Sequence, residues 1–184
     1  MIPRKGLHLS AADWATASRI ALTLPITFAL AWELSGIALV LYLLAPVSDL
    51  IDGPLARRSE RPTLGPAFDG VADVIFAVFG IGWAYWKLPL QRPWMEIYLA
   101  LLLPLAAVYA LVCWRKTGRV LLLHLWSGKL MGWAGFLWFG LAYWADAGLW
   151  TVHLAAWAAL FHYSESLIYI LRGRRDPDGR SAFS

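Results

Sequence analysis

Long apolar runs alternate with short polar stretches along this chain. A helix needs roughly 20 mostly apolar residues to cross a bilayer. Six runs meet that length, at 15–34, 37–57, 68–87, 95–114, 120–144 and 149–171. The pattern predicts an all-α integral membrane protein with six transmembrane helices. The second and third runs fit only if the carboxylates they carry lie near their ends, toward water. Ahead of the first run, the stretch LHLSAADWATASR, with Asp13, reads as a short N-terminal interfacial helix. No repeat, linker or low-complexity stretch divides the chain, so residues 1–184 are expected to form a single membrane domain. Phe28-Ala29-Leu30-Ala31 faintly resembles a signal-peptide cleavage site. Nineteen residues precede Ile20, however, and five more runs follow, so the first run is read as a retained span.

Composition agrees. Hydrophobic residues make up 60% and charged residues 15%, against roughly 45–50% and about 25% in soluble proteins. Mean hydropathy is +0.57. Such a chain is neither disordered nor a coiled coil, and its net charge of +4 is read as loop charge facing an anionic leaflet, not as a nucleic-acid surface. Cys113 is the single cysteine, so no intrachain disulfide can form.

Basic residues set the orientation. With the N-terminus in the cytosol, the cytosolic segments hold Arg4, Lys5, Arg57, Arg58, Arg61, Arg115, Lys116, Arg119, Arg172, Arg174, Arg175 and Arg180, and the far side holds only Lys87 and Arg92. Both termini are therefore expected in the cytosol. Trp14, Trp32, Trp86, Trp94, Trp114, Trp144 and Trp150 fall near span ends, where an interfacial aromatic belt sits. That reading is preferred to base stacking.

The chemistry concentrates in SDLIDGPLARRSERPTLGPAFDGVADV, residues 48–74. Asp49 and Asp52 are spaced i, i+3 at the end of the second span, and Asp69 and Asp73 are spaced i, i+4 at the start of the third. Each pair shares a helix face. The short connection makes the two spans antiparallel neighbours, with both pairs at one membrane depth. An ionised Asp within a span costs about 2.5–3.5 kcal/mol on insertion scales. Basic partners, protonation or divalent cations could offset this. Arg57, Arg58 and Arg61 are near, but an all-carboxylate set without His or Cys suits a hard cation, Mg²⁺ or Mn²⁺. Four such ligands could hold two ions, a common device for displacement at phosphorus. The plainer alternative makes Asp69 a helix N-cap and leaves Asp49 and Asp52 solvated at an interfacial helix end.

Asp49-x2-Asp52-Gly53-x2-Ala56-Arg57, followed by Gly65-x3-Asp69-x3-Asp73, resembles the signature of the CDP-alcohol phosphatidyltransferases. The six-span layout extends the resemblance to nearly the whole chain. Thr16, Arg19 and Pro25 are similar to a Thr, Arg and Pro pattern in the first span of bacterial members. Two features depart. Seven residues, Arg58 to Leu64, separate Arg57 from Gly65 where the family usually has eight, and Pro54 follows Gly53, where it removes a helix hydrogen bond.

The resemblance implies transfer of a phosphatidyl group from CDP-diacylglycerol to an alcohol, with release of CMP. It implies that Asp49, Asp52, Asp69 and Asp73 hold metal, with Asp73 also the base on the acceptor hydroxyl. It places Asp52, Gly53, Ala56, Arg57, Gly65 and Asp69 around the nucleotide, the glycines permitting close backbone approach. It also implies a homodimer, with the active site facing the cytosol.

Lys129 bears on the acceptor. Ser127-Gly128-Lys129 resembles the Gly-Lys of phosphatidylglycerophosphate synthases, although Met131 and Gly132 replace the Lys and Thr usual there, and Val74 stands where a Lys tends to follow the last Asp. Lys129 therefore binds an acceptor phosphate or snorkels to the interface. Glycerol 3-phosphate is the first expectation; serine, an inositol phosphate or another polyol phosphate come next. Arg19 contacts the acceptor or a lipid phosphate, or anchors the first span. Glu165 lines a polar cavity, or is an interfacial acid paired with Arg172 or a serine. His124, His153 and His162 lack metal-ligand spacing and read as polar helix residues. A cation transporter using the aspartates, and an inactive membrane scaffold, are the rivals from other classes; neither would release CMP.

Overall fold

A computed structural model describes residues 11–56, 65–121, 123, 125–174, 176 and 181–182; within these, side chains are described except at 11–15, 47–56 and 65–69. The described residues form six α-helices and no strand: α1 (Ala11–Ala31), α2 (Ser35–Ala56), α3 (Gly65–Lys87), α4 (Arg92–Thr117), α5 (Trp126–Trp144) and α6 (Trp150–Leu171). A short 3₁₀ turn, Pro89–Gln91, leads into α4. The expected helices are found, with two changes. Asp13 lies in α1 itself, which is continuous from Ala11, instead of in a separate helix. The fifth helix begins at Trp126 and not near residue 120.

Contacts group the chain into two compact units, Met1–Phe79 and Gly80–Ser184. In the first, α1 packs along α2. A tight turn at Trp32–Leu34 joins them, with Glu33 in the left-handed region (φ 58°) and the Leu34 amide donating to the Ala29 carbonyl at 2.8 Å. Thr16, Arg19, Thr23, Ile26 and Leu30 are buried. Their spacing of three and four residues is one helix stripe. Polar members in that stripe turn inward: the Thr23 hydroxyl donates to the Ile20 carbonyl at 2.6 Å, and the Thr27 hydroxyl to the Thr23 carbonyl at 2.7 Å. These bonds flank Pro25, which lacks an N–H of its own. Tyr42 of α2 stacks on Phe76 of α3, with centroids 6.1 Å apart.

In the second unit, α6 packs against both α4 and α5. Its contact faces carry small residues, with Ala155, Ala156, Ala158 and Ser166 buried. At one end, Gln91 is a buried hub: Trp138 donates to its Oε1 at 2.6 Å, and its Nε2 donates to the Gly148 carbonyl at 3.2 Å. Tyr98 of α4 meets His153 Nδ1 of α6 at 2.8 Å.

The late start of α5 has a physical cause. Gly118 ends α4 in the left-handed conformation (φ 74°), its amide donating to the Trp114 carbonyl at 2.8 Å. Beyond it Leu121, Leu123 and Leu125 are non-helical and buried with Tyr109, Cys113, Tyr169 and Ile170. Backbone groups there need partners that a helix would have supplied internally. The Cys113 thiol donates to the Arg119 carbonyl (3.4 Å) and accepts from the Leu121 amide (3.2 Å), while the Thr117 hydroxyl donates to the Arg119 carbonyl at 2.6 Å. Tyr109 bonds the Leu121 carbonyl. Cys113 is thus a structural hydrogen-bonding group.

Pro89–Thr117 and Trp150–Leu171 are long and apolar enough to cross a membrane; α1 and α2 contain shorter apolar stretches, Thr16–Ala31 and Ser35–Pro46. Most of α4 is exposed, including Ile97, Leu101, Leu103, Val108 and Leu111. An apolar surface of that extent marks a membrane or protein contact.

Candidate active site

The aspartates occupy the C-terminal part of α2 and the N-terminal part of α3. Asp49 and Asp52, with Gly53 and Ala56, fall in the last turns of α2, which stays helical through Pro54 to Ala56. Gly65 opens α3, and Asp69 and Asp73 follow in its first turns. Asp49 and Asp52 are thus three residues apart, and Asp69 and Asp73 four apart, within continuous helices. The side chains of Asp49, Asp52, Gly53, Ala56, Gly65 and Asp69 fall outside the described residues, as does Arg57 entirely.

Asp73 is described, and it has a partner. The Arg19 guanidinium of α1 donates to Asp73 Oδ1 and forms a salt bridge with it. The two side chains differ in exposure, 9% for Arg19 and 60% for Asp73. Arg19 belongs to the buried α1 stripe between Thr16 and Thr23. A buried guanidinium needs a counter-charge, and α3 supplies it. The carboxylate is thereby held from the α1 side while most of its surface stays open. The Arg19–Asp73 pairing was not among the roles expected for Arg19. Its signal in the sequence was general: a charge inside an apolar helix seeks a charge of opposite sign.

Among the described residues, no three His, Cys, Asp or Glu side chains come together. The chemistry of the four-aspartate set, all oxygen and partly solvent-facing at Asp73, fits a hard divalent cation.

Lys129 stands in the first turn of α5, exposed, with Nζ 5.4 Å from the Trp126 ring centroid. The later start of α5 corrects the expectation that it lies well inside a span. Glu165 is buried, and its Oε1 accepts from the Ser181 hydroxyl at 2.5 Å and the Ala182 amide at 2.9 Å. His162 bonds Ser127 at 2.9 Å, and Gly128 sits against its ring, where an added Cβ would lie 3.1 Å from Cε1. His153 and His162 are thus polar helix residues with helix partners, while His124 lies outside the described residues.

The model of the CDP-alcohol phosphatidyltransferase family matches residues 9–163, and the chain belongs to that family. The match runs from the start of α1 through most of α6 and includes every candidate site residue. No curated protein and no solved structure matches the chain. The family is one of phosphotransferases acting in phospholipid biosynthesis, with a CDP-alcohol as donor and an alcohol as acceptor.

Proposed function

We propose that this protein transfers the phosphatidyl group of CDP-diacylglycerol to a small alcohol and releases CMP. The observation that carries this reading is the coincidence of the family match over residues 9–163 with the complete aspartate and glycine set on the ends of α2 and α3.

In the reaction, the acceptor oxygen forms a bond to the phosphatidyl phosphorus. The bond from that phosphorus to the bridging oxygen of CMP breaks, and CMP leaves with the electron pair. Asp73 takes the acceptor's proton. An open carboxylate held by Arg19 suits that task, because a base must be both reachable and fixed in direction. Asp49, Asp52, Asp69 and Asp73 would hold two Mg²⁺ or Mn²⁺ ions, which when bound neutralise charge on the pyrophosphate. Asp52, Gly53, Ala56, Arg57, Gly65 and Asp69 would line the nucleotide. Lys129, exposed at the start of α5, would receive the phosphate of the acceptor, glycerol 3-phosphate by first choice.

The same reading takes all six helices as spans, with both termini and the aspartates on the cytosolic side. The helices of 19–26 residues are about 30–40 Å long at 1.5 Å per residue, enough for a hydrocarbon core of about 30 Å. The twelve-to-two asymmetry of basic residues supports the orientation. The homodimer rests on the family resemblance alone.

Purified protein supplied with CDP-diacylglycerol, Mg²⁺ or Mn²⁺ and a panel of acceptors tests the reading. CMP release that depends on one acceptor and one metal is the expected result. Absence of CMP with every acceptor, together with metal-driven cation flux through liposomes, would replace it with transport.

A further inference from the structure

The two long faces of α4 are unlike. On one, Met95, Tyr109 and Cys113 are buried, and α6 packs against the helix. On the other, Ile97, Leu101, Pro104, Val108 and Leu111 are all exposed. Their spacings of four, three, four and three residues make one straight stripe. At about 100° per residue, that stripe lies on the side of the helix away from Met95, Tyr109 and Cys113. The next position along it, four residues past Leu111, is Arg115, also exposed. An apolar stripe therefore ends in a cation.

The cations near that end are used differently. Lys116 donates to the Leu171 carbonyl at 3.0 Å and caps α6. Arg115 and Arg119 are exposed, and among the described residues neither guanidinium has a hydrogen-bond or ion-pair partner. Arg119 is nonetheless held at its backbone. Its carbonyl accepts from the Thr117 hydroxyl at 2.6 Å and from the Cys113 thiol at 3.4 Å. Gly118, just before it, takes the left-handed conformation (φ 74°) that this turn requires. Its side chain is thus presented from a fixed turn. Exposed Trp114 and Val120 flank the two arginines in sequence.

Depth agrees. Pro89–Thr117 is long and apolar enough to cross a membrane. Ile97 to Arg115 spans about 27 Å at 1.5 Å per residue, close to a hydrocarbon core of about 30 Å. With α4 read as a span, Arg115 and Arg119 fall at headgroup depth, and hydrocarbon lies on Leu111 and Val108.

A lipid or a second copy of the chain could cover such a face, and charge separates the two. Two chains meeting along the stripe about a two-fold axis normal to the membrane would set two copies of Arg115 side by side. The stripe carries no acid to offset them. An anionic headgroup supplies the missing charge, and guanidinium–phosphate hydrogen bonds are about twice as strong as neutral ones and often bidentate.

We propose that the outer face of α4 is a binding site for an anionic phospholipid, its phosphate on Arg115 and Arg119 and an acyl chain along Leu111 and Val108. The site uses none of the residues assigned to phosphatidyl transfer and rests only on α4 as a span.

Photocrosslinking tests it. Full-length protein is reconstituted, without nucleotide or metal, in phosphatidylcholine nanodiscs containing a little phosphatidylglycerol with a photoactivatable acyl chain. Crosslinked peptides are read by mass spectrometry. Labelling concentrated on residues 108–111, displaced by plain phosphatidylglycerol and not by phosphatidylcholine, is the expected result. Each cation near the surface strengthens the attraction about fivefold, so Arg115→Gln with Arg119→Gln lowers this labelling about thirtyfold. Arg115→Lys with Arg119→Lys keeps most of it. Labelling of the other helices stays and reports an intact fold. Equal labelling by phosphatidylcholine bearing the same group overturns the site and leaves only bulk lipid on α4. Labelling that survives the double Gln substitution overturns it as well. Absence of α4 labelling also overturns it and, in discs that hold two chains, gives the face to a second copy. The measurement needs no turnover, so failure of the phosphatidyl-transfer reading would leave its result unchanged.

Discussion

Asp73 in the first unit and Glu165 in the second are both carboxylates on apolar helices, and the fold treats them oppositely. Asp73 is 60% exposed and forms a salt bridge with Arg19. Glu165 is 3% exposed and receives Ser181 and Ala182. An acid whose oxygens are occupied by the chain's own donors is spent on structure. An acid gripped from one side, with its remaining surface open, can take a proton or a ligand. Exposure and the identity of the partners both separate the two.

The comparison is broken most sharply at Asp73. Asp73→Asn keeps the shape but removes the base, so turnover falls by about 10²–10⁴-fold, measured as CMP release, and loss of the counter-charge on buried Arg19 lowers the unfolding temperature as well. Arg19→Gln leaves the carboxylate present but unfixed. Misplacement of that kind costs up to about 10²-fold, and it falls on kcat more than on KM for CDP-diacylglycerol; Arg19→Lys restores part of it. A loss confined to KM would make Arg19 a substrate contact instead.

Glu165→Ala should leave buried donors without an acceptor, at about 1–3 kcal/mol each. The expected outcome is a lower unfolding temperature in detergent. A fully stable variant would show that the serines find other partners. The smallest effect is at Lys129. If it receives an acceptor phosphate, Lys129→Gln raises acceptor KM by about tenfold and leaves KM for CDP-diacylglycerol alone. An unchanged acceptor KM assigns Lys129 to its contact with Trp126.

The helices were legible because apolar runs of spanning length are a strong signal, and the aspartates because their spacing is specific. The start of α5 was not. Residues 120–125, Val-Leu-Leu-Leu-His-Leu, are apolar but for His124, and such a run reads alike as helix or as buried non-helical chain. Only the packing of Leu121, Leu123 and Leu125 against α4 and α6 decides it. The partner of Arg19 lies 54 residues away, and the partners of Glu165 lie in a polar tail with no periodicity. Gln91 gave no sign of its role, since a lone glutamine between spans reads as loop. Long-range pairing of polar groups is set by helix packing, which hydropathy does not encode.

The most direct measurement places the two carboxylates side by side. Asp73→Asn and Glu165→Gln are assayed in one preparation for CMP release from CDP-diacylglycerol and for thermal unfolding. The account predicts that Asp73→Asn loses turnover beyond what its stability explains, while Glu165→Gln keeps turnover and unfolds earlier. Loss of turnover in Glu165→Gln at full stability, with Asp73→Asn still active, would contradict it.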